Sequence, residues 1–285
     1  MVVPICLYGS EIWGFTTNYS YNDPFEKLHI KFIKEILGVN CKASNSACLA
    51  ELNRLPLNTK ITIQAIKYWL HILESDGTLA HNIYKETQKT NSWVNQLKKT
   101  LDDFGFSYIH KNPSLLKTNI NNIETRIKDI SLQKLESDLK NNKKLTFFNH
   151  VHSTNIRPHY VDLCKLKSDR STLAKLRTSA HVLSIEKGRY TNIPKQSRLC
   201  DCCKSGEIED EIHFLVKCKT YSNIRNNFLN KLNQLFNNTC TTKVKQLSIC
   251  QSYKLFNSNS AVLLKLFINY INECLKMRQN TLKEV

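Results

Sequence analysis

Asp23-Pro24-Phe25-Glu26-Lys27-Leu28-His29-Ile30-Lys31-Phe32-Ile33-Lys34-Glu35-Ile36-Leu37-Gly38 is the stretch that sets the fold class. Asp23 is a good helix N-cap, Pro24 suits the first turn, and Glu26 stands where a capping box needs its acidic partner. Phe25, Leu28, Phe32, Ile33 and Ile36 recur at the three- and four-residue spacing of one helical face, and Gly38 supplies the stop. The spacing therefore predicts a helix over 24–37, with Lys27, Lys31 and Lys34 sharing its opposite face. His29 falls on the apolar side and reads as a packed core histidine.

The same periodicity recurs along the chain. It predicts helices over 47–52, 59–73, 93–104, 119–139, 172–183 (with Ser171 as cap), 225–236 and 261–277. Only 7 Gly and 6 Pro occur in 285 residues, too few for the tight turns of an all-β protein. With 41% hydrophobic residues the chain has enough apolar material for a packed core. No run approaches the roughly 20 apolar residues of a membrane span, so no membrane partner is expected. Residues 137–144 are polar and charged, and a domain boundary is expected between His150 and Pro158.

The formal net charge is +17, which favours polyanionic partners, nucleic acid first among them. Between Arg157 and Arg198 lie ten Lys or Arg against only Asp162, Asp169 and Glu186. Lys175, Arg177, Arg189 and Arg198 in this segment are candidates for phosphate contacts, with Tyr190 as a base-stacking ring. The Lys27, Lys31, Lys34 stripe is the auxiliary candidate. Arg177 and Arg189 have a competing structural reading, as partners of Glu186 or of backbone carbonyls.

Of 11 cysteines, Cys6, Cys41, Cys48, Cys164, Cys240, Cys250 and Cys274 are scattered. Cys200, Cys202, Cys203 and Cys218 are clustered. An odd count without a secretory signal favours a reducing, intracellular setting, nucleus or cytoplasm, and a metal site rather than disulfides. Cys200-x2-Cys203-x9-His213-x4-Cys218 has four soft or borderline ligands at a spacing that closes a tetrahedral zinc site. Four protein ligands leave no position for water, so the zinc is expected to be structural. Cys202 competes with Cys203 for the second position. The acidic run Glu207 to Glu211 between the ligand pairs is expected to face solvent.

Catalytic patterns are missing. Asp102-Asp103, the one Asp-Asp pair, sits at a helix end, and no phosphate loop or nucleophile triad is present, so neither an enzymatic activity nor a small-molecule substrate is expected. Val2 to Gly9 is apolar from the outset, as if cut from a larger core, which suggests a fragment.

Several blocks carry a family resemblance. Leu7-Tyr8-Gly9-Ser10-Glu11-Ile12-Trp13-Gly14 resembles the segment after the palm in reverse transcriptases of Jockey-like and related non-LTR (LINE-type) retrotransposons. Glu26 to Val39, Glu51-Leu52-Asn53-Arg54-Leu55-Pro56-Leu57 and Lys67-Tyr68-Trp69-Leu70 are similar to the blocks that follow it, with Asn53 in place of a usual glycine. Leu176 to Tyr190 and then Cys200 to Cys218 resemble the run into that family's zinc-binding region. Residues 75–155 and the tail after Cys218 are unmatched. The resemblance implies a mainly α chain: a thumb-like helical region over 1–155, then over 156–285 a basic segment with a small CCHC zinc-knuckle domain and flanking helices. It implies binding of RNA, DNA or both, without the palm's catalytic aspartates. The alternative is a zinc-stabilised helical protein-interaction module, a co-opted remnant whose basic surface meets acidic partners.

Overall fold

The computed structural model describes residues 2–14, 21, 23–87, 92–154, 156–236 and 245–283; Cys240, and Asn155 at the expected boundary, lie outside them. Among the described residues the chain is mostly helical, and its one β-type pairing is an isolated antiparallel bridge, Leu199 with Ile208. No helix among the described residues is long and apolar enough to cross a membrane. The chain forms two compact units: Met1–Phe32 with Arg54–Asp138, and Ile33–Asn53 with Leu139–Val285. The expected division at 155/156 falls inside the second.

In the first unit the predicted helices appear as Pro24–Leu37 (shared with the second unit from Ile33), Leu57–Glu74, Ser92–Asp103 and Leu116–Asn141 (shared from Leu139). Trp69, Leu97, Leu101, Leu116, Ile123 and Ile127 interlock as its main core. The N-cap of the first helix is as expected: Asp23 Oδ1 accepts from the Phe25 and Glu26 amides at 2.9 and 3.2 Å. Glu26, however, closes no capping box. It is buried, meets His29 Nδ1 at 3.2 Å, and its other oxygen accepts from the Leu57 amide at 2.7 Å. Pro56 has no side-chain donor or acceptor to cap the Leu57–Glu74 helix, so Glu26 satisfies that orphan N–H from a distance. The buried face follows this pair. It runs through Glu26, His29, Ile30, Ile33 and Leu37, while Phe25 and Leu28 are 37% and 48% exposed, contrary to the expected apolar stripe.

In the second unit Phe214, Phe256, Phe267 and Ile268 are fully buried, with Phe256 edge-on to Phe267 at 5.0 Å and Phe228 stacked on Tyr270 at 4.8 Å. The helix expected over 172–183 is Lys167–Arg177 instead, and Ser179 leaves it at φ +51°. Ser171 therefore lies inside the helix, where its hydroxyl donates to the Gly38 carbonyl at 2.7 Å. Gly38 itself sits at φ +67°, and a Cβ there would fall 2.8 Å from Ser171 Cβ, so only glycine ends the first helix this tightly. Ser184–Tyr190, Ile249–Phe256 and the long Ala261–Thr281 helix complete the framework around the cysteine cluster.

Candidate metal centre

The cluster is assembled from three local devices. The Leu199–Ile208 bridge and the Cys200 amide donating to the Glu207 carbonyl (2.9 Å) pin a short turn, with Lys204 and Gly206 at positive φ. This turn presents Cys200 and Cys203. Asp210 Oδ1 then accepts from the His213 amide at 2.7 Å and starts a single π-helical turn, His213–Lys217. The wider turn lets the Cys218 amide reach the His213 carbonyl at 2.7 Å, bringing both side chains back to the knuckle. Such π turns recur at functional sites.

The ligand atoms of Cys200, Cys203, His213 and Cys218 all lie within 4.8 Å of one another. Cys200 Sγ is 3.9 Å from Cys218 Sγ, and Cys203 Sγ is 3.4 Å from His213 Nε2. Zinc bonds of about 2.3 Å to sulfur and 2.0–2.1 Å to nitrogen at tetrahedral angles place such pairs about 3.8 and about 3.6 Å apart. The set fits that ion. His213 Nδ1 meets Glu207 Oε2 at 2.7 Å, the carboxylate–imidazole arrangement that fixes a metal-binding histidine's tautomer and ring plane.

Protons occupy the same atoms. The hydrogen bond with Cys218, together with burial, pushes the Cys200 thiol up to about 12, and that bond holds Cys218 below the ordinary thiol value. Hydrogen bonding to Cys200, then to Glu207 and Cys203, lifts His213 to about 9 against the effect of burial. Metal capture at neutral pH is thus an exchange of protons for the ion.

Cys202 belongs to a second grouping, with Cys200 and Glu209, but Glu209 is already committed. Its two oxygens take Arg278 Nε and Nη2 at 2.6 and 2.7 Å, and Oε2 also accepts from the amide and hydroxyl of Ser184. The Cys203 assignment is the one with a complete ligand set.

The acidic run faces solvent at Glu207, as expected, but not at its other two glutamates. Glu209 and Glu211 are 1% and 7% exposed. Glu211 holds His181 Nε2 at 2.9 Å and the Ser179 hydroxyl at 3.2 Å. Buried carboxylates are tolerated only with such partners, and here they moor the knuckle to Ser179–Ser184 and to the last helix. Arg225 adds donors to the Leu215 and Cys218 carbonyls. Sequence reading missed Glu207, Glu209, Glu211, Arg225 and Arg278. The one available signal was chemical: a ligating histidine needs an acceptor on its other nitrogen, and Glu207 is an acid close by in sequence.

The basic candidates separate. Arg177 is fully buried: Nε donates to Glu51 Oε1 at 2.8 Å and Nη1 to Asn257 at 3.1 Å. Its guanidinium is sealed from any ligand, which corrects its assignment as a phosphate contact. Arg198 lies across Gly188 and donates to the Ile185 and Ile193 carbonyls. Arg189 pairs with Glu186 at 3.1 Å. The Tyr190 ring is 48% exposed, but Lys42 Nζ covers it at 4.0 Å and its hydroxyl donates to Glu186. Lys175, Lys27 and Lys31 are exposed, whereas Lys34 donates to the Cys41 carbonyl at 2.8 Å. Asp102 and Asp103 end the Ser92–Asp103 helix. Compared with protein-family models, with curated proteins and with solved structures, the chain matches none.

Proposed function

We propose that this chain is a zinc-stabilised, helical nucleic-acid-binding region without catalytic activity of its own. We further propose that it corresponds to the C-terminal thumb and zinc-knuckle part of a LINE-type reverse transcriptase. The observation that carries the reading is a four-ligand Cys/His set with a carboxylate-oriented histidine, next to the most basic stretch of a chain of net charge +17. Structural zinc sites of this type fix a surface and leave no open position for hydrolysis. Asn53 adds support from the backbone: it takes φ +49° where the resembled block has glycine, and asparagine is the residue that best tolerates that conformation after glycine.

The partner is RNA, DNA or both, held mainly through phosphates by lysines. Fluorescence anisotropy across a salt series tests this. Log affinity should fall linearly with log salt, by about 0.9 per phosphate contact on duplex DNA and about 0.7 on a single strand. Absence of saturable binding to either at low salt refutes the reading.

A further inference from the structure

One cleft of ≈ 220 Å³ in the second unit lies outside the metal set and shares only Arg189 with the basic residues singled out in the sequence. Lys143, Arg189 and Lys195 stand around it with Thr146, His150 and Tyr253. Its volume is below the about 300–1,000 Å³ of pockets that enclose a whole small molecule, so it suits one unit of a longer ligand.

The acids that line the cleft are engaged within the chain, whereas two of its lysines are not. Glu186 is taken by Lys144, Arg189 and the Tyr190 hydroxyl. Glu211 is taken by His181 and Ser179, and Asp210 by the His213 amide. Lys143 and Lys195 are exposed and have no anionic partner among the described residues. The Lys143 backbone is held by its carbonyl accepting from Arg189 Nη2 at 3.3 Å. Two ammonium groups thus stand beside a floor whose acids each have a hydrogen-bond or ion-pair partner within the chain.

The same cleft has an aromatic platform. His150 is exposed and lies parallel to Tyr253, centroids 5.6 Å apart and planes within 7°. Phe147 braces Tyr253 edge-on at 5.8 Å and is itself buried. A flat π face beside unpaired cations is the combination that holds an unpaired base and its phosphates.

We propose that this cleft is a single-strand nucleotide subsite, in which one base stacks on the His150–Tyr253 pair and Lys143 and Lys195 take the flanking phosphates. The assignment rests on the nucleic-acid reading above and names where on the chain the strand is held. A base-paired duplex has no free base face to offer, so the subsite favours single strands.

The test uses the full chain loaded with zinc, a labelled single-stranded oligoadenylate and a duplex of matched length. Lys143→Ala with Lys195→Ala should cut the single-strand salt slope by about 1.4, two contacts at about 0.7 each; Lys99→Ala with Lys111→Ala, outside the cleft, should lower it by less. His150→Ala should weaken single-strand binding by about 5- to 100-fold, as expected for one stacked base, leave duplex binding unchanged, and be rescued by His150→Phe. Photo-crosslinking of a thionucleotide strand to the unmutated chain should label the peptides carrying His150 and Tyr253. Variants that fold normally and bind single strands like the parent would overturn the cleft while the wider reading stands, as would crosslinks confined elsewhere. Equal weakening of duplex and single strand by His150→Ala would overturn the stacking. A parent chain that binds neither form would overturn the wider reading, and the cleft with it.

Discussion

Arg177→Ala should destabilise the second unit severely without acting on a ligand. Arg177 and Glu51 side chains are both 0% exposed, joined at 2.8 Å. Tyr160, also buried, donates its hydroxyl to the other Glu51 oxygen at 2.5 Å. Truncating the arginine leaves that carboxylate with a single hydroxyl donor and leaves Asn257 Oδ1 without its partner. Breaking one side of a buried pair costs about 3–5 kcal/mol, against the total of about 5–15 kcal/mol that holds a typical domain. Arg177→Lys should recover little, because one ammonium cannot reproduce the fork that spans Glu51 and Asn257. Glu51→Gln with Arg177→Met should lose less than the sum of the two single changes, with a coupling of about 0.5–3 kcal/mol. Urea unfolding followed by circular dichroism reads all five variants: the alanine, the lysine, the two single changes of the cycle and their double. At temperatures where Arg177→Ala remains folded, its nucleic-acid salt slope should equal that of the parent chain. A loss below about 1 kcal/mol, or a reduced slope in a folded variant, would refute the buried-pair account.

Glu207→Ala should weaken zinc binding about 10- to 100-fold, as loss of a histidine's orienting acceptor does elsewhere; competition with a chromophoric chelator measures it, and unchanged affinity would remove Glu207 from the site. Chelation should strip hydrogen-exchange protection from 199–221, since such sites are worth about 10–16 kcal/mol in peptides. Protection should also fall at 179–185 and around Arg278, while Leu57–Glu74 keeps its own; protection unchanged at 179–185 would contradict the mooring role of Glu209 and Glu211. Burial by itself would raise the Glu209 pKa, but Arg278 and Ser184 outweigh it and hold the group below the ordinary 4.5. Its contribution to stability is thus complete above about pH 4.5 and is lost as pH falls below that. The stability gap between the parent and Glu209→Gln should therefore narrow on acidification, and a gap constant with pH would refute the pairing. Primed template with dNTPs and magnesium should not be extended by the chain; extension surviving Asp102→Ala with Asp103→Ala would reveal an active site outside the present assignment.

Sequence periodicity located the long helices well where apolar side chains make up most of the buried face. Leu57–Glu74, Leu116–Asn141 and Ala261–Thr281 each fall within a few residues of the spacing's expectation. It failed where polar side chains do the burying. The face of the first helix is rotated toward Glu26 and His29 because their partner, the Leu57 amide, is 31 residues away. Lys167–Arg177 is displaced because Ser171, a natural cap by type, is used to bond the Gly38 carbonyl 133 residues earlier. The metal ligands were legible since their spacing is itself the chemistry. The groups that support them were not. Glu209 and Glu211 look like solvent-facing acids until Arg278 and His181 are brought alongside, and no local pattern announces such pairs. The arginines misled for the same reason: charge predicts exposure, and Arg177 meets its acid across 126 residues.

That spacing between partners sets an order of events on the ribosome. The four metal ligands span 19 residues, so at about 5–20 residues per second the whole set emerges within about 1–4 s of Cys200. Ser184 is already outside when Glu209 appears, but Arg278 follows 69 residues later, an interval of about 3–14 s. During that time the Glu209 carboxylate has only half its native partners and cannot be sealed away from water. Zinc is the one component from outside the chain that can brace 199–221 in the interval, beside the contacts from Ser179, His181, Ser184 and Arg225. A chain synthesised where zinc is scarce should therefore hold this segment less firmly until the Ala261–Thr281 helix is made.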